Sequence, residues 1–289
     1  MRPAFRNFVI VISFLSLISF SCKKEQKEQL EFDTQSSQDN ALAEGVFSDV
    51  NNIANQAIQN GALGLTTYRA KITDNSSLMS GCATVTLTPD TSGGGTVTVD
   101  FGPSNCLCLD GHYRRGIITF TFTGAYRDSG TVISTVFDNY YVGKNPTLMF
   151  KVTGTKTVTN LGHNSSGNLH FSINVTGHLI DADGRTMDWT SVRDREWIAG
   201  ESTGGISQWG DDEYLITGSA QGINFEGNSF TVNITHALDI DFGCRWIKEG
   251  TFELTPSGKP MRTFDYGTGT CDSLATITVN GQSFPVVLR

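Results

Sequence analysis

Proline is scarce in this 289-residue chain, at 7 residues, and charge is sparse, at 17%. Few prolines exclude long polyproline linkers. The charge that exists is acidic: 21 Lys and Arg stand against 29 Asp and Glu, for a net charge of −8. Such a chain lacks the basic surplus that nonspecific nucleic-acid binding requires. Beyond the first twenty residues no apolar run reaches the roughly 20 residues needed to cross a bilayer. Also missing are G-x-S-x-G, H-E-x-x-H, a P-loop and a dinucleotide fingerprint. The five histidines are scattered. His170 and His178 share a strand face but would stand about 27 Å apart. No catalytic residue, metal set or cofactor is assigned.

What the chain has instead is glycine, at 31 residues, and abundant threonine. Both suit strands joined by tight turns. In 169–179, Leu169, Phe171, Ile173, Val175 and Leu179 alternate with His170, Ser172, Asn174, Thr176 and His178. The same period of two runs through 228–240 and 246–254. Turn signals separate these runs at Ser165-Ser166-Gly167, Asp183-Gly184, Gly227-Asn228 and Asn280-Gly281. About a dozen strands are expected, several near 12 residues. The predicted fold is all-β, a long antiparallel meander closed as a barrel, curved as a half-barrel or folded as two packed sheets. One amphipathic helix precedes it over 41–60, where Val46, Phe47, Val50, Ile53, Ala54, Ala57 and Ile58 recur at helical spacing.

The N-terminus carries Arg2 and Arg6, an apolar run from Phe8 to Phe20, then Ser21 and Cys22. The run has the length of a signal-peptide core, not of a transmembrane span. This pattern resembles a bacterial lipoprotein signal over residues 1–21, with Cys22 as the lipidated first residue of the mature protein. Residues 22–40, rich in Lys, Glu, Gln and Ser, read as anchor and flexible tether. Residues 41–289 then form a single β-rich domain.

Five cysteines remain. Cys82 to Cys106 and Cys244 to Cys271 enclose similar segments, each with Leu-Thr-Pro, a glycine-bearing turn, then Asp-Phe-Gly or Asp-Tyr-Gly. Read as hairpins turning near Gly94 and Gly258, they bring Cys82 opposite Cys106 and Cys244 opposite Cys271. Two disulfides are expected, in an exported protein. Cys108 is left over and could take the place of Cys106. Cys106, Cys108 and His112 do not form a usual zinc spacing.

The densest candidate ligand site is 185–198. As a strand it puts Arg185, Trp189, Arg193, Arg195 and Trp197 on one face, with Asp188, Asp194 and Glu196 on the other. Arginine and indole together suit a sugar ring or an anion; the structural alternative is a Trp/Arg ladder that stabilises the sheet. Trp209, beside Asp211, Asp212 and Glu213, is a second aromatic candidate. A glycan-binding site would require Trp189, Trp197 and Trp209 to be exposed and close together. A glycan hydrolase would require Asp211, Asp212 or Glu196 to converge with another acid in a cleft. Asp181-Ala182-Asp183-Gly184 lacks the remaining ligands of a calcium loop and reads as a turn.

The signal, the tether, DNALAEGVFSDVNNIA, DFGPSNCLCLDGHYRRG, AYRDSGTV, DNYYV and DREWIAGE together resemble a set of exported Bacteroidetes lipoproteins with no assigned activity. That resemblance implies an exported all-β protein and carries over no functional residue. The resulting expectation is a lipid-anchored outer-membrane protein, on the periplasmic face or the cell surface. Its role would be to bind a glycan or envelope protein, or to be structural. The alternatives are a carrier of a lipophilic ligand and a glycan hydrolase.

Overall fold

The computed structural model describes residues 34–62, 67–69, 83–91, 93–203, 211–241, 243–244 and 246–287. Among these residues one helix, α1 (Thr34–Ala62), precedes fifteen strands. They are β1 (Thr67–Arg69), β2 (Thr84–Pro89), β3 (Gly95–Asp100), β4 (Cys106–Leu107), β5 (Tyr113–Phe122), β6 (Val132–Asn145), β7 (Leu148–His163) and β8 (Leu169–Ile180). The series continues with β9 (Thr186–Ala199), β10 (Glu213–Ile223), β11 (Ser229–Asp241), β12 (Ile247–Pro256), β13 (Arg262–Thr268), β14 (Leu274–Val279) and β15 (Gln282–Val287). Every strand but β4 pairs with its neighbours in chain order, and β4 pairs with β5. All pairings are antiparallel. The result is a single open sheet, so the closed barrel and the two-sheet sandwich are both set aside. No helix among the described residues is long and apolar enough to cross a membrane.

The expected alternation is realised. In β8 the odd-numbered Leu169, Phe171, Val175 and Leu179 are buried. The four turn signals all fall between strands; Asn280 and Gly281 both take positive φ, at 51° and 76°, as a two-residue hairpin requires. The Cys244–Cys271 disulfide forms, with Cα atoms 5.8 Å apart. Cys106 is also disulfide-bonded; its expected partner, Cys82, lies outside the described residues, as does Cys22. Cys108 is a buried thiol.

Helix α1 starts earlier than its apolar stripe announces and takes in residues 34–40, which the sequence assigns to a tether. The reason is tertiary hydrogen bonding. Ser36, Asp39 and Asn40 are buried. Asn224 Nδ2 donates to Ser36 Oγ at 3.1 Å, the Phe225 amide to Asp39 Oδ2 at 2.9 Å, and Trp189 Nε1 to Asn40 Oδ1 at 3.0 Å. Polar residues that composition reads as solvated are partners of the sheet.

Successive turns of α1 meet successive strands. Ser36 and Asp39 reach the β10–β11 turn, Asn40 and Glu44 reach β9, Phe47 reaches β7 and β8, and Asp49 reaches β5. From Ser36 to Asp49 the helix advances about 20 Å. The five strand spacings it passes sum to about 24 Å. The helix therefore lies across the strands. At its centre Phe47 enters a notch left by Gly177 in β8, where a Cβ would overlap the ring. A bulge in β6 at Asn139, with φ at 46°, opposite Gly116, resets the alternation. It turns both Phe137 and Tyr140 towards the helix side, where Phe137 meets Phe47 edge-on and Tyr140 stacks on Phe137.

Candidate ligand-binding site

Strand β9 keeps the grouping expected of it but turns it inward. Met187, Trp189, Ser191, Arg193, Arg195 and Trp197 are all buried. Asp188, Asp194 and Glu196 face away from the helix. Asp188 pairs with His178 and Asp194 with His170, while Glu196 accepts from Asn164 and Asn168. The exposure that a glycan site on these tryptophans would require is not found, since Trp189 is 2% exposed and Trp197 5%. Alternation assigns side chains to faces, but nothing in it says which face the helix covers. Trp189 stacks on Phe47 with centroids 5.8 Å apart, and Trp197 stacks on Tyr214 at 5.4 Å. Arg185 departs from the group. It precedes β9, is exposed, and donates from Nε to Asp181 Oδ2 at 2.8 Å. Trp209 lies outside the described residues.

Under the helix the sheet carries buried cations from several strands. Arg114 on β5 is fully buried and holds Asp110 with two bonds of 2.9 and 2.6 Å and Asp49 of the helix with one of 2.7 Å. Burial pushes the Asp110 carboxyl up, but hydrogen bonds from His112 and Arg114 outweigh it and hold the group well below the usual carboxylate range. Burial raises Asp49 despite the same guanidinium. On β9, Arg193 donates to Glu44 at 2.8 Å, and Arg195 donates to the Tyr126 hydroxyl between the rings of Phe171 and Tyr214. On β7, Lys156 donates to the Phe47 carbonyl at 2.6 Å.

Lys156 is the residue sequence reading missed. Its signal was parity: it occupies the same face of β7 as Val152 and Val158, a lysine where the pattern wants an apolar side chain. Burial, helped by the nearby Arg195, pushes its ammonium down to about 7. An unfolded lysine holds its proton to about pH 10.4. Between those values the unfolded chain binds the extra proton, so stability rises with pH across the window. Lys156→Met should raise stability by about 1–4 kcal/mol near pH 6 and remove most of that rise. Urea unfolding at about pH 6 and pH 9.5 checks both points.

Among the described residues the acids proposed for hydrolysis are not brought to one cleft. Glu196 faces away from the helix, while Asp212 is buried beside Tyr214, whose hydroxyl lies 3.5 Å from its Oδ2. Burial and the neighbouring Asp211 push Asp212 up to about 6. Asp211 is occupied by the Thr203 hydroxyl at 3.1 Å.

A cleft of about 890 Å³ spans β9 to β12 near the β12–β13 turn. Thr190, Gln221, Thr231 and Thr255 lie directly opposite one another across these four strands. They form a polar row at about 4.8 Å spacing. Their parity is opposite to that of buried Trp189, so the row faces away from the helix. Asp188 and Lys259 contribute charge at the cleft and Pro260 an apolar edge, while Trp189, Phe230 and Pro256, of the covered parity, border it from within the sheet.

No family model matches the chain, and searches of curated proteins and of solved structures gave no match either.

Proposed function

We propose that this chain is a lipid-anchored protein of the cell envelope that acts by binding, not catalysis, and that its ligand is a glycan segment held in the β9–β12 cleft. The observation that carries this reading is the row Thr190, Gln221, Thr231 and Thr255 within a cleft of about 890 Å³. Its volume falls in the range of ligand pockets, roughly 300–1,000 Å³. Hydroxyl and amide groups at close, regular spacing both donate and accept, which suits a ligand that carries many hydroxyls. The anchoring part rests on the segment from Arg2 to Cys22. The site moves from the buried tryptophans to the opposite side of the same strands.

The test is calorimetric titration of the mature protein with oligosaccharides released from its own envelope. The double variant Gln221→Ala, Thr231→Ala should weaken binding roughly tenfold, since each lost hydrogen bond is worth about 0.5–1.5 kcal/mol net. Both side chains are solvent-facing, so folding should be unaffected. An affinity unchanged in the double variant would remove the cleft from the account.

A further inference from the structure

We infer that the helix-covered face of the sheet carries an anion site, built from Arg193 and Lys156, that receives a phosphate or carboxylate group where Glu44 now stands. Arg193 is 5% exposed, and its Nη2 meets Glu44 Oε2 at 2.8 Å. Its Nε and Nη1 are buried without a partner, as is Nε of Arg195, the next residue along the same face. A guanidinium offers five donors in a rigid fork, and donors left unmet in the interior are costly. Lys156 reaches the same stretch of helix: its Nζ is on the Phe47 carbonyl, one turn from Glu44.

Among the described residues the buried cations outnumber the acids beside them. Arg193 and Arg195 are buried cations, and Lys156, whose ammonium is pushed down to about 7, adds part of a third charge near neutral pH. Arg114 engages Asp49 and Asp110, and Asp49 also acts on Lys156; Glu44 stands beside Arg193 and Asp212 beyond Tyr214. An arriving oxyanion would supply the missing charge and fill the open donors. It can use two guanidinium nitrogens where Glu44 uses one. Glu44 also marks the way in, because its side chain is 39% exposed while that of Arg193 is 5% exposed. The rings of Trp189, Phe171 and Tyr214 stand 5.0–6.0 Å from the two guanidinium carbons. They offer an apolar wall to whatever carries the anionic group. This inference does not rest on the glycan cleft, whose row Thr190, Gln221, Thr231 and Thr255 faces the other side of the sheet, although Trp189 borders both.

The experiment titrates the mature protein with inorganic phosphate and, separately, with dodecyl phosphate below its micellar concentration. Glu44→Gln removes the resident charge and should tighten binding about tenfold; Arg193→Met should weaken it at least tenfold. Binding of inorganic phosphate supports a free-anion site. Binding of dodecyl phosphate alone supports the headgroup of an anionic amphiphile. The cleft variant Gln221→Ala, Thr231→Ala should change neither. Absence of binding by both wild type and Glu44→Gln overturns the inference, as does binding that Arg193→Met leaves unchanged. Should Arg193→Met fail to fold, Glu44→Gln decides alone, and an affinity no tighter than wild type overturns it.

Discussion

Replacing Phe47 by alanine is expected to cost about 3–5 kcal/mol of stability, the usual range for a buried phenylalanine. The ring is 2% exposed. It stacks on Trp189 at 5.8 Å, meets Phe137 edge-on at 6.1 Å and fills the notch at Gly177. A helix lying across strands touches each of them over only a few side chains, so its docking depends on those few. Because Phe47 fits a space shaped by a missing side chain, neighbours cannot collapse into the gap without moving the sheet. Guanidinium unfolding should report the loss in full. Trp189 fluorescence should shift towards that of a solvated indole as the helix loosens. A loss below about 1 kcal/mol would mean that the helix is not held through this ring.

Arg114→Met should cost a comparable amount at neutral pH, about 3–5 kcal/mol, because it leaves two carboxylates around a buried position with no cation. The wild-type guanidinium is fully buried and makes three bonds to Asp110 and Asp49. The pH dependence separates this from a packing defect. Asp110 is held below its ordinary pKa, so its contribution is present above about pH 3.9 and fades as pH falls further. In the variant both acids lose their cation, and protonating them relieves the penalty. The deficit should therefore be largest near pH 7 and shrink towards pH 4. A deficit constant over that range would show that lost volume, not lost charge pairing, is responsible.

Much of the architecture was readable from alternation and turn chemistry. Leu169 to Leu179 named a strand face correctly, Asn280-Gly281 marked a hairpin, and the Cys244–Cys271 spacing implied the bridge that forms. Three features were not readable, each for a physical reason. The start of α1 was hidden because Ser36, Asp39 and Asn40 are stabilised by distant partners, Asn224, Phe225 and Trp189, which no local pattern reveals. The bulge at Asn139 shifts parity by one residue, so Phe137 and Tyr140 share a side that simple alternation would divide. The covered side of β9 was ambiguous because both its faces carry charge. Arg193 and Arg195 are tolerated inside only because Glu44, Tyr126 and the aromatic rings meet part of their need. The row Thr190, Gln221, Thr231 and Thr255 depends on the register of four strands, which their sequences do not state.

The central proposal, a lipid-anchored protein that binds an envelope glycan, is tested most directly by mass spectrometry of the protein isolated from its own membrane, under native and then denaturing conditions. A mature chain that begins at Cys22 and carries a covalent acyl mass is expected, with an additional oligosaccharide mass present natively and lost on denaturation. A chain that retains residues 1–21, carries no acyl group and has the same mass under both conditions would contradict the proposal.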